Sequence, residues 1–309
     1  MEFIPTKNYG VKLGENPNGK DWKAGVNSKI EYKVVIDDGN WEQFTPTEEP
    51  QWGTGGDKMN CVTQSSDNVF ETPLNRLIKL GLMPVSHLDW LSKKGYLDAN
   101  GKPNFNDRIS ATLNETQPDG NWLWKVADHH RLDGLFPESV LPSDENLSWA
   151  EYYNRSLITP EILALGQEFK KYFEIMFEWI DFTPDSLAYH LKQAPIQVVF
   201  PNHAVCAVKQ MSDITRYFDT YNPFIKDIQT KNLNSAMKLI INIKELTMIE
   251  FVHITGTSEY GFLESTDHTK ILHRAINENH LRVLAEVFGQ SILTPQNTID
   301  FSKAKNIVV

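Results

Sequence analysis

The stretch Gln51–Glu71, with the sequence QWGTGGDKMNCVTQSSDNVFE, indicates the fold more strongly than any other part of this 309-residue chain. A glycine-rich loop, GTGG, lies shortly before Cys61, and glycine and proline are then absent for about a dozen residues. Apolar and small residues recur there at steps of three and four, which is the pattern of a buried helix. We therefore predict that the loop delivers Cys61 to the start of a helix, with the amide side chain of Gln51 a short distance upstream.

A cysteine at a helix start has two interpretations. A thiol is a useful nucleophile near neutral pH only as the thiolate, and a helix N-terminus with a nearby imidazolium lowers its pKa. The backbone of the glycine loop and the amide of Gln51 would then donate hydrogen bonds to a substrate oxygen. The alternative is an inert core residue, as most such cysteines are. A base held by a third group would favour the nucleophile.

Candidates for this base and its partner occur in the stretch Asn202–Phe224, NHAVCAVKQMSDITRYFDTYNPF. His203 leads the apolar run AVCAV, which is typical of a strand, and Asp219 follows sixteen residues later, where the next strand of a hairpin is expected. Ends of neighbouring antiparallel strands face each other, so Asp219 would bind the ring nitrogen of His203 that is turned away from the thiol. Without Cys61, a histidine beginning a strand and an aspartate beginning a turn is the favoured interpretation.

Composition excludes several classes of protein. The chain is 40% hydrophobic and 23% charged and has eight tryptophans, as expected of a folded globular protein. A net charge of -10 without a basic stripe argues against nucleic acid as a partner. We expect neither a signal peptide nor a transmembrane segment, hence no membrane partner, and a cytoplasmic or virion-associated protein. The two cysteines, Cys61 and Cys206, fit a reducing compartment.

Other candidate sites are weaker. His129 and His130 are adjacent and cannot share a helix face, and the histidines between residues 268 and 280 lie in a polar stretch. The loop GTGGDK lacks the spacing of a phosphate-binding loop. Cys206 is expected to point into the sheet core. We therefore expect neither a metal nor a cofactor.

The order of predicted elements places a helical half before a sheet half. Residues 1–50 are predicted to be an extended lead-in, residues 51–224 the main domain, with halves at about 51–182 and from 183 onward, and residues 225–309 a C-terminal extension. Besides the Cys61 helix, helices are predicted at 74–82, 122–131, 160–179, 184–192, 233–241 and 269–288, strands at 30–36, 196–200, 204–208 and 248–254, and a long loop at 96–119.

Taken together, these residues resemble the papain-like cysteine proteases. The family has a glutamine, a cysteine opening the central helix, a histidine in a His-Ala-Val strand, and an asparagine sixteen residues later. Gln51, Cys61, His203 and Asp219 occur here in that order. The resemblance implies an α+β fold, in which the cysteine helix packs on a twisted antiparallel sheet and the active site lies in the cleft between the two halves.

Further similarity extends over about residues 41–224. Ser65 and Glu71 stand where the central helix of the family usually has a serine and a glutamate. Two segments also resemble parts of the family: Gly120 to Pro142 resembles a glycine turn, a helix and a proline-bracketed loop, and Thr183 to Phe200 resembles a helix followed by a strand. The resemblance implies that Ser65 and Glu71 are packing residues of the helix.

The chain departs from the family at several points. The Cys-Gly-Ser-Cys-Trp signature is absent around Cys61, and Gln51 lies ten residues before it instead of the usual six. Asp219 replaces the asparagine, and Tyr221 stands where a shielding tryptophan usually follows. An aspartate can still orient the imidazole, and it favours the charged form.

The resemblance implies peptide-bond hydrolysis through a thioester acyl-enzyme, with a peptide or protein substrate. Cys61 would attack the carbonyl, its N–H and Gln51 would hold the oxyanion, His203 would protonate the leaving amine and activate water, and Asp219 would orient His203. Two alternatives remain open: a non-catalytic structural or binding module, for instance of a phage particle, and an amidase, transglutaminase or peptidoglycan endopeptidase. Residues 225–309 would complete the core, dock a partner or anchor the protein in an assembly.

Overall fold

The structure is a computed structural model that describes residues 10–17, 21–144, 146–244, 248–252, 261–265, 271–275 and 307–308. The chain divides into two compact units, Met1–Ile243 and Lys244–Val309. In the first unit, helix α1 (Cys61–Lys79) packs against other helices on one side and against an antiparallel sheet on the other. The predicted α+β class is confirmed.

Helix α1 is the centre of the helical half. Its apolar face continues across Pro73 to Leu74, and both Phe70 and Leu74 are fully buried. Burial outweighs the cost of a proline inside the helix. The helical pattern predicted at 74–82 is therefore helix as far as Lys79, but as the end of α1 and not as a second helix. The other helices are α2 (Val85–Lys93), α3 (Asp107–Leu113), α4 (Leu123–Asp133), α5 (Trp149–Tyr152), α6 (Pro160–Tyr172) and α7 (Pro184–Leu191), with 3-10 turns at Glu42–Phe44, Glu138–Val140, Arg155–Leu157 and Thr230–Asn232.

Four short strands precede the main sheet. β1 (Val11–Lys12) pairs in parallel with β4 (Asn121–Trp122), while β2 (Trp52–Gly53) and β3 (Gly56–Asp57) form a small hairpin. The hairpin occupies the predicted glycine loop. It therefore projects from the chain just before α1 begins.

The main sheet is antiparallel throughout, in the order β5-β10-β6-β7-β8-β9. Apolar runs on β6 and β7 are buried on both faces, because α1 and α7 pack against the sheet. The register pairs His203 with Phe200. The strands are β5 (Phe173–Ile180), β6 (Ile196–Phe200), β7 (His203–Met211), β8 (Ile214–Phe218), β9 (Ile225–Gln229) and β10 (Ser235–Ile243).

Two of these strands contradict the sequence prediction. The helix predicted at 160–179 ends at Tyr172, and the chain continues as β5; the helix predicted at 233–241 is β10. Strand β10 lies inside the sheet, and residues 236–240 are buried on both faces, so the run has no alternation that would distinguish a strand from a buried helix. Because β9 and β10 belong to the sheet, the sheet half continues beyond residue 224 to Ile243.

Two loop assignments also change. The predicted loop at 96–119 contains α3, whose start is capped by the Asn106 side chain accepting a hydrogen bond from Ile109 N–H. The predicted strand at 30–36 is wrong. The backbone N–H groups of Val35 and Ile36 both donate to the carbonyl of Lys192, which directly follows α7. Among the helices described, none is long and apolar enough to cross a membrane.

The second unit contains a four-stranded antiparallel sheet in the order β13-β12-β11-β14. Its strands are β11 (Met248–Val252), β12 (Gly261–Ser265), β13 (Ile271–Ala275) and β14 (Ile307–Val308). The strand predicted at 248–254 corresponds to β11. The helix predicted at 269–288 is wrong where β13 lies, and residues 276–288 are outside the described residues.

Removing residues 244–309 should leave the first unit folded, with a cooperative thermal transition and an intact near-UV circular dichroism spectrum. A chain ending at Gln229 should lose both signals, because β10 separates β5 from β6 and its loss exposes two strand edges. Cooperative folding of the shorter chain would contradict the assignment of β10 to the core of the sheet.

Candidate active site

Cys61 begins α1 and is completely buried. Its sulfur accepts hydrogen bonds from the backbone N–H groups of Ala204, at the start of β7, and of Val62. Burial raises the pKa of the Cys61 thiol, and these two donors offset only part of the effect. Helix and sheet thus place the thiol beside the residue that follows His203.

His203 and Asp219 form the predicted pair. Nε2–H of His203 donates to Oδ1 of Asp219 at 2.6 Å, and both side chains are buried. The backbone N–H of Thr220 donates to the same oxygen at 2.7 Å. The rings of Phe200 and Tyr221 lie 5.5 and 5.3 Å from the His203 ring, so Tyr221 occupies the shielding position suggested by its place in the sequence. This hydrogen bond fixes which nitrogen of the imidazole faces away from Asp219.

The second oxygen of Asp219 binds a residue that sequence reasoning missed. Lys226, on β9, places Nζ 2.6 Å from Oδ2. Burial acts to raise the pKa of Asp219, but the His203 and Lys226 interactions outweigh it, and the pKa lies below its ordinary value. The only sequence signal was a lysine seven residues after the aspartate, across a turn.

Gln51 is brought to this site by the β2–β3 hairpin. The backbone N–H of Lys58 donates to the Gln51 carbonyl at 3.4 Å, so the hairpin brings Gln51 next to Lys58, three residues before Cys61. The hairpin packs closely elsewhere too, since a Cβ on Gly55 would overlap the carbonyl of Leu147.

The side chain of Gln51 is held at both ends. Nε2 donates to Oδ1 of Asp57 at 2.7 Å, and Oε1 accepts from the hydroxyl of Thr220 at 3.2 Å. The Gln51 backbone N–H also donates to the Thr220 carbonyl at 3.0 Å. Thr220 directly follows Asp219, so these contacts connect the glutamine with the His203 and Asp219 pair.

Asp57 is a second residue that sequence reasoning missed. Besides Gln51, it accepts hydrogen bonds from the Met59 N–H at 2.9 Å and from the Tyr221 hydroxyl at 2.7 Å. Met59 has a positive φ of 53°, a conformation that a non-glycine residue adopts only when its surroundings impose it. Asp57 therefore joins the chain before Cys61 to the sheet half.

The wall behind Cys61 is polar and acidic. Asn60 does not cap α1; its Nδ2 donates to Oδ2 of Asp107 at 2.6 Å and to the Tyr152 hydroxyl at 2.8 Å. Asp107 belongs to a group of carboxyls that raise one another's pKa. We call this group the acidic cluster: Glu49, Asp67, Glu71, Asp107 and Glu138.

Burial is the largest cause of these shifts. It raises the pKa of Glu49 to about 8 and that of Glu138 to about 9. The pKa of Asp67 is also raised. Neither of its oxygens has a hydrogen-bond partner among the described residues, and His130 Nε2 lies 3.4 Å from Oδ1. Burial lowers the pKa of His130 to about 3, so this histidine is neutral and provides no cation. The acidic cluster is consequently most stable when protonated.

A buried amide links α1 to the sheet. Nε2 of Gln197, on β6, donates to the Val62 carbonyl at 2.7 Å and to the Ser65 hydroxyl at 2.8 Å. Farther along α1, Oε1 of Glu71 accepts from the Phe105 N–H at 2.6 Å. Ser65 and Glu71 therefore take part in hydrogen bonds that fix α1 against its neighbours.

The N-terminal segment borders the same region. The carbonyl of Gly10 accepts a hydrogen bond from Asn121 N–H at 3.0 Å. A Cβ on Gly10, whose φ is +103°, would overlap the Met59 carbonyl, and one on Gly120 would overlap Gly10 itself. Gly10, just before β1, thus lies directly against Met59, two residues before Cys61.

The remaining candidates lie elsewhere. Nδ1–H of His129 donates to Oδ2 of Asp133 at 2.7 Å on the surface of α4, one turn away. Cys206 is buried on β7, and burial raises the pKa of its thiol. In the described part of the chain, no group of three or more His, Cys, Asp or Glu residues could hold a metal ion.

Comparisons with known proteins identify the fold. No protein-family model matches the sequence, and no curated protein sequence matches it. Among solved structures, xylellain, a cysteine protease from Xylella fastidiosa, matches with a TM-score of 0.52 at 8% identity, over 79% of this chain and 100% of that chain. A digestive procathepsin L2 proteinase from Tenebrio molitor matches over 75% and 78% of the two chains, with a TM-score of 0.46 and 11% identity. The ragweed cysteine protease Amb a 11, in its proform, matches over 72% and 69%, with a TM-score of 0.43 and 13% identity.

The match to xylellain confirms that the first unit has the papain-like fold expected from the sequence. At 8% identity the similarity is one of fold alone, and the function depends on the residues of the site. A phage origin finds no support among these structures.

Stability should fall as pH rises from about 4 to about 9. A carboxyl whose pKa is higher in the folded than in the unfolded chain contributes stability that is complete below the unfolded pKa, near 3.8 to 4.5, and is lost as pH passes the folded values, which reach about 8 for Glu49 and about 9 for Glu138. Asp67→Asn should weaken this dependence and raise the free energy of unfolding at pH 8.5 by about 2 kcal/mol.

Urea unfolding of both chains at pH 5 and pH 8.5 measures the effect. Asp37→Asn, at an exposed aspartate, is the matched control and should change neither value. Equal pH dependence in wild type and Asp67→Asn would contradict burial of an ionisable group at Asp67.

Proposed function

We propose that this chain is a cysteine peptidase that hydrolyses peptide bonds through a thioester acyl-enzyme. The observation that carries the proposal is that the Cys61 sulfur lies against the residue that follows His203, whose ring is bound to Asp219. Cys61 opens the buried helix, its sulfur contacts the N–H of Ala204, and the preceding residue, His203, is bound through Nε2 to Asp219. A nucleophile, a base and an orienting carboxylate in this order are what acyl transfer requires.

The reaction begins with transfer of the Cys61 proton to His203. Because Asp219 occupies Nε2, the nitrogen that receives the proton is Nδ1. Thiolate and imidazolium stabilise each other, which offsets the cost of burying either charge. The thiolate attacks the peptide carbonyl carbon, and the carbonyl electrons move onto its oxygen.

The oxyanion is held by the backbone N–H of Cys61, at the N-terminus of α1, and by Nε2 of Gln51. Asp57 and Thr220 fix the Gln51 carboxamide before substrate arrives, so it need not reorient during the reaction. Collapse of the intermediate breaks the C–N bond, and His203 gives its proton to the leaving amine. His203 then takes a proton from water, whose oxygen attacks the thioester carbon and releases Cys61.

One observation favours a second candidate function, a non-catalytic structural or binding module. Cys61 is completely buried, and burial raises the pKa of its thiol. A cysteine of this kind is inert unless its imidazole partner is engaged. The rate at which the thiol is alkylated separates the two functions.

Cys61→Ala should abolish hydrolysis of a fluorescently labelled peptide library, a loss of at least about 1,000-fold, because the nucleophile is removed. Cys206→Ala, the matched control at the other buried cysteine, should retain activity within about threefold. Iodoacetamide should modify Cys61 of the native chain faster than a free thiol at pH 6. Equal hydrolysis by wild type and Cys61→Ala would refute the peptidase, and slow alkylation would favour the non-catalytic module.

Gln51→Ala should lower kcat about 100-fold, because one oxyanion donor is lost. Alkylation of Cys61 by iodoacetamide should change less than about threefold, since displacement at a saturated carbon forms no oxyanion. Gln43→Ala, at an exposed glutamine, is the control for both assays. Parallel losses in kcat and alkylation would show that Gln51 supports the fold of the site instead of the oxyanion.

A further inference from the structure

Asp219 is shared between two basic groups. Oδ1 accepts from His203 Nε2 and Oδ2 lies against Lys226 Nζ, both at 2.6 Å. The carboxylate is 1% exposed, and the lysine side chain 15%. Charge-assisted contacts this short in a buried setting are stronger than surface ion pairs.

The fold fixes this arrangement. Strands β8 and β9 pair in a register that sets Lys226 opposite Tyr217, two residues before Asp219. The backbone N–H of Asp219 donates to the Phe224 carbonyl at 2.7 Å and closes the turn between the strands. Lys226 therefore reaches Asp219 from the adjacent strand without a change in backbone conformation.

The charges of Cys61, His203 and Asp219 balance when Lys226 is included. A thiolate, an imidazolium and a carboxylate sum to one negative charge, and burying an uncompensated charge is costly. A neutral asparagine at position 219 would need no compensation. With Asp219, the ammonium of Lys226 restores neutrality.

We infer that Lys226 is a positioning residue of the active site. It binds Oδ2 of Asp219 and balances its charge, so that Oδ1 can orient His203 without an uncompensated buried carboxylate. This inference rests on the proposed function for its catalytic meaning. Lys226 acts on His203 through Asp219, which it contacts directly.

The other titratable groups that act on Asp219 or Cys61 are few. Burial raises the pKa of the phenols of Tyr153, Tyr217 and Tyr221 above the ordinary value, so all three are neutral near pH 7. Asp57 adds a negative charge near Cys61 and is bound by the Tyr221 hydroxyl. On the neighbouring strands, Arg216 pairs with Asp227 and Glu42 instead of Asp219. Lys226 is thus the cation paired with Asp219 besides His203.

The test is the pH dependence of Cys61 alkylation by iodoacetamide, followed by mass spectrometry of the modified peptide. The basic transition of this pH profile is the pH at which the imidazolium of His203 loses its proton. Lys226→Met should raise it by about one pH unit, because the imidazolium loses a repelling neighbour and interacts with Asp219 alone. Asp219→Asn should lower the pH of this transition, because the imidazolium loses its carboxylate partner. In the double variant this pH should return to within about 0.3 unit of the wild-type value, and Lys226→Arg should leave it unchanged.

If the role of Lys226 were purely structural, its replacement would change the melting temperature and leave the pH of the basic transition unchanged. An unchanged basic transition in Lys226→Met, or a double variant that does not return towards wild type, would overturn the inference. If Lys226→Met fails to fold while the double variant folds, compensation is supported, because only the single variant buries an unpaired carboxylate. A double variant less stable than both single variants would overturn it.

A second measurement separates this inference from the proposed function. In a Cys61→Ala background, the pKa of His203 is followed by NMR of its ring, with and without Lys226→Met. An increase of about one unit supports the inference even if the native thiol reacts no faster than a free one and the peptidase is rejected. An unchanged His203 pKa overturns the inference whatever the activity of the chain.

Discussion

Helix α1 is buried along most of its length although many of its side chains are polar. A buried polar group without a partner costs about 1–3 kcal/mol, so the polar groups of α1 that do find partners restrict how the helix packs. Gln197 meets the Val62 carbonyl and Ser65, and the backbone of Phe105 meets Glu71. Such contacts hold α1 against both sheet and helices, and they set the depth at which Cys61 lies.

The same constraint explains why the spacing of Gln51 misleads. Counted along the chain, the glutamine is ten residues from Cys61, but the hairpin β2–β3 returns the chain to its starting point. The contact with Thr220 then depends on the sheet half, not on the loop. Insertions in a surface hairpin are inexpensive because loop-closure entropy grows slowly with length, so sequence separation and spatial separation diverge here.

The sequence could predict the elements whose residues carry a local signal. A glycine loop followed by a helical period identifies the start of α1, and the apolar runs on either side of a Pro-Asn turn identify β6 and β7. Strand β10 has no such signal, because burial on both faces removes its alternation. Strand β5 does retain partial alternation of buried and exposed residues. It follows α6 without a break, so the sequence alone gives no signal for where the helix ends.

The same distinction holds for the site. Cys61, His203 and Asp219 are residue types whose chemistry suggests a role, and strand pairing brings the last two together as expected. Lys226 and Asp57 could not be found in this way. A lysine on a strand and an aspartate in a glycine-rich loop are common on protein surfaces, and only the register of β8 and β9 and the fold of the hairpin bring them to Asp219 and Gln51.

The two sides of Cys61 handle buried carboxyls differently. In front, Asp219 is ionised and bound by the His203 ring and by Lys226, which suits a group that must stabilise an imidazolium. Behind, Asp107 and the rest of the acidic cluster have raised pKa values and no ion pair with lysine or arginine among the described residues, which suits groups that remain protonated. Ionising Asp107 would place a negative charge on the partner of Asn60, one residue before Cys61. That charge would oppose a thiolate at the start of α1, so a protonated acidic cluster and an ionised thiol favour each other.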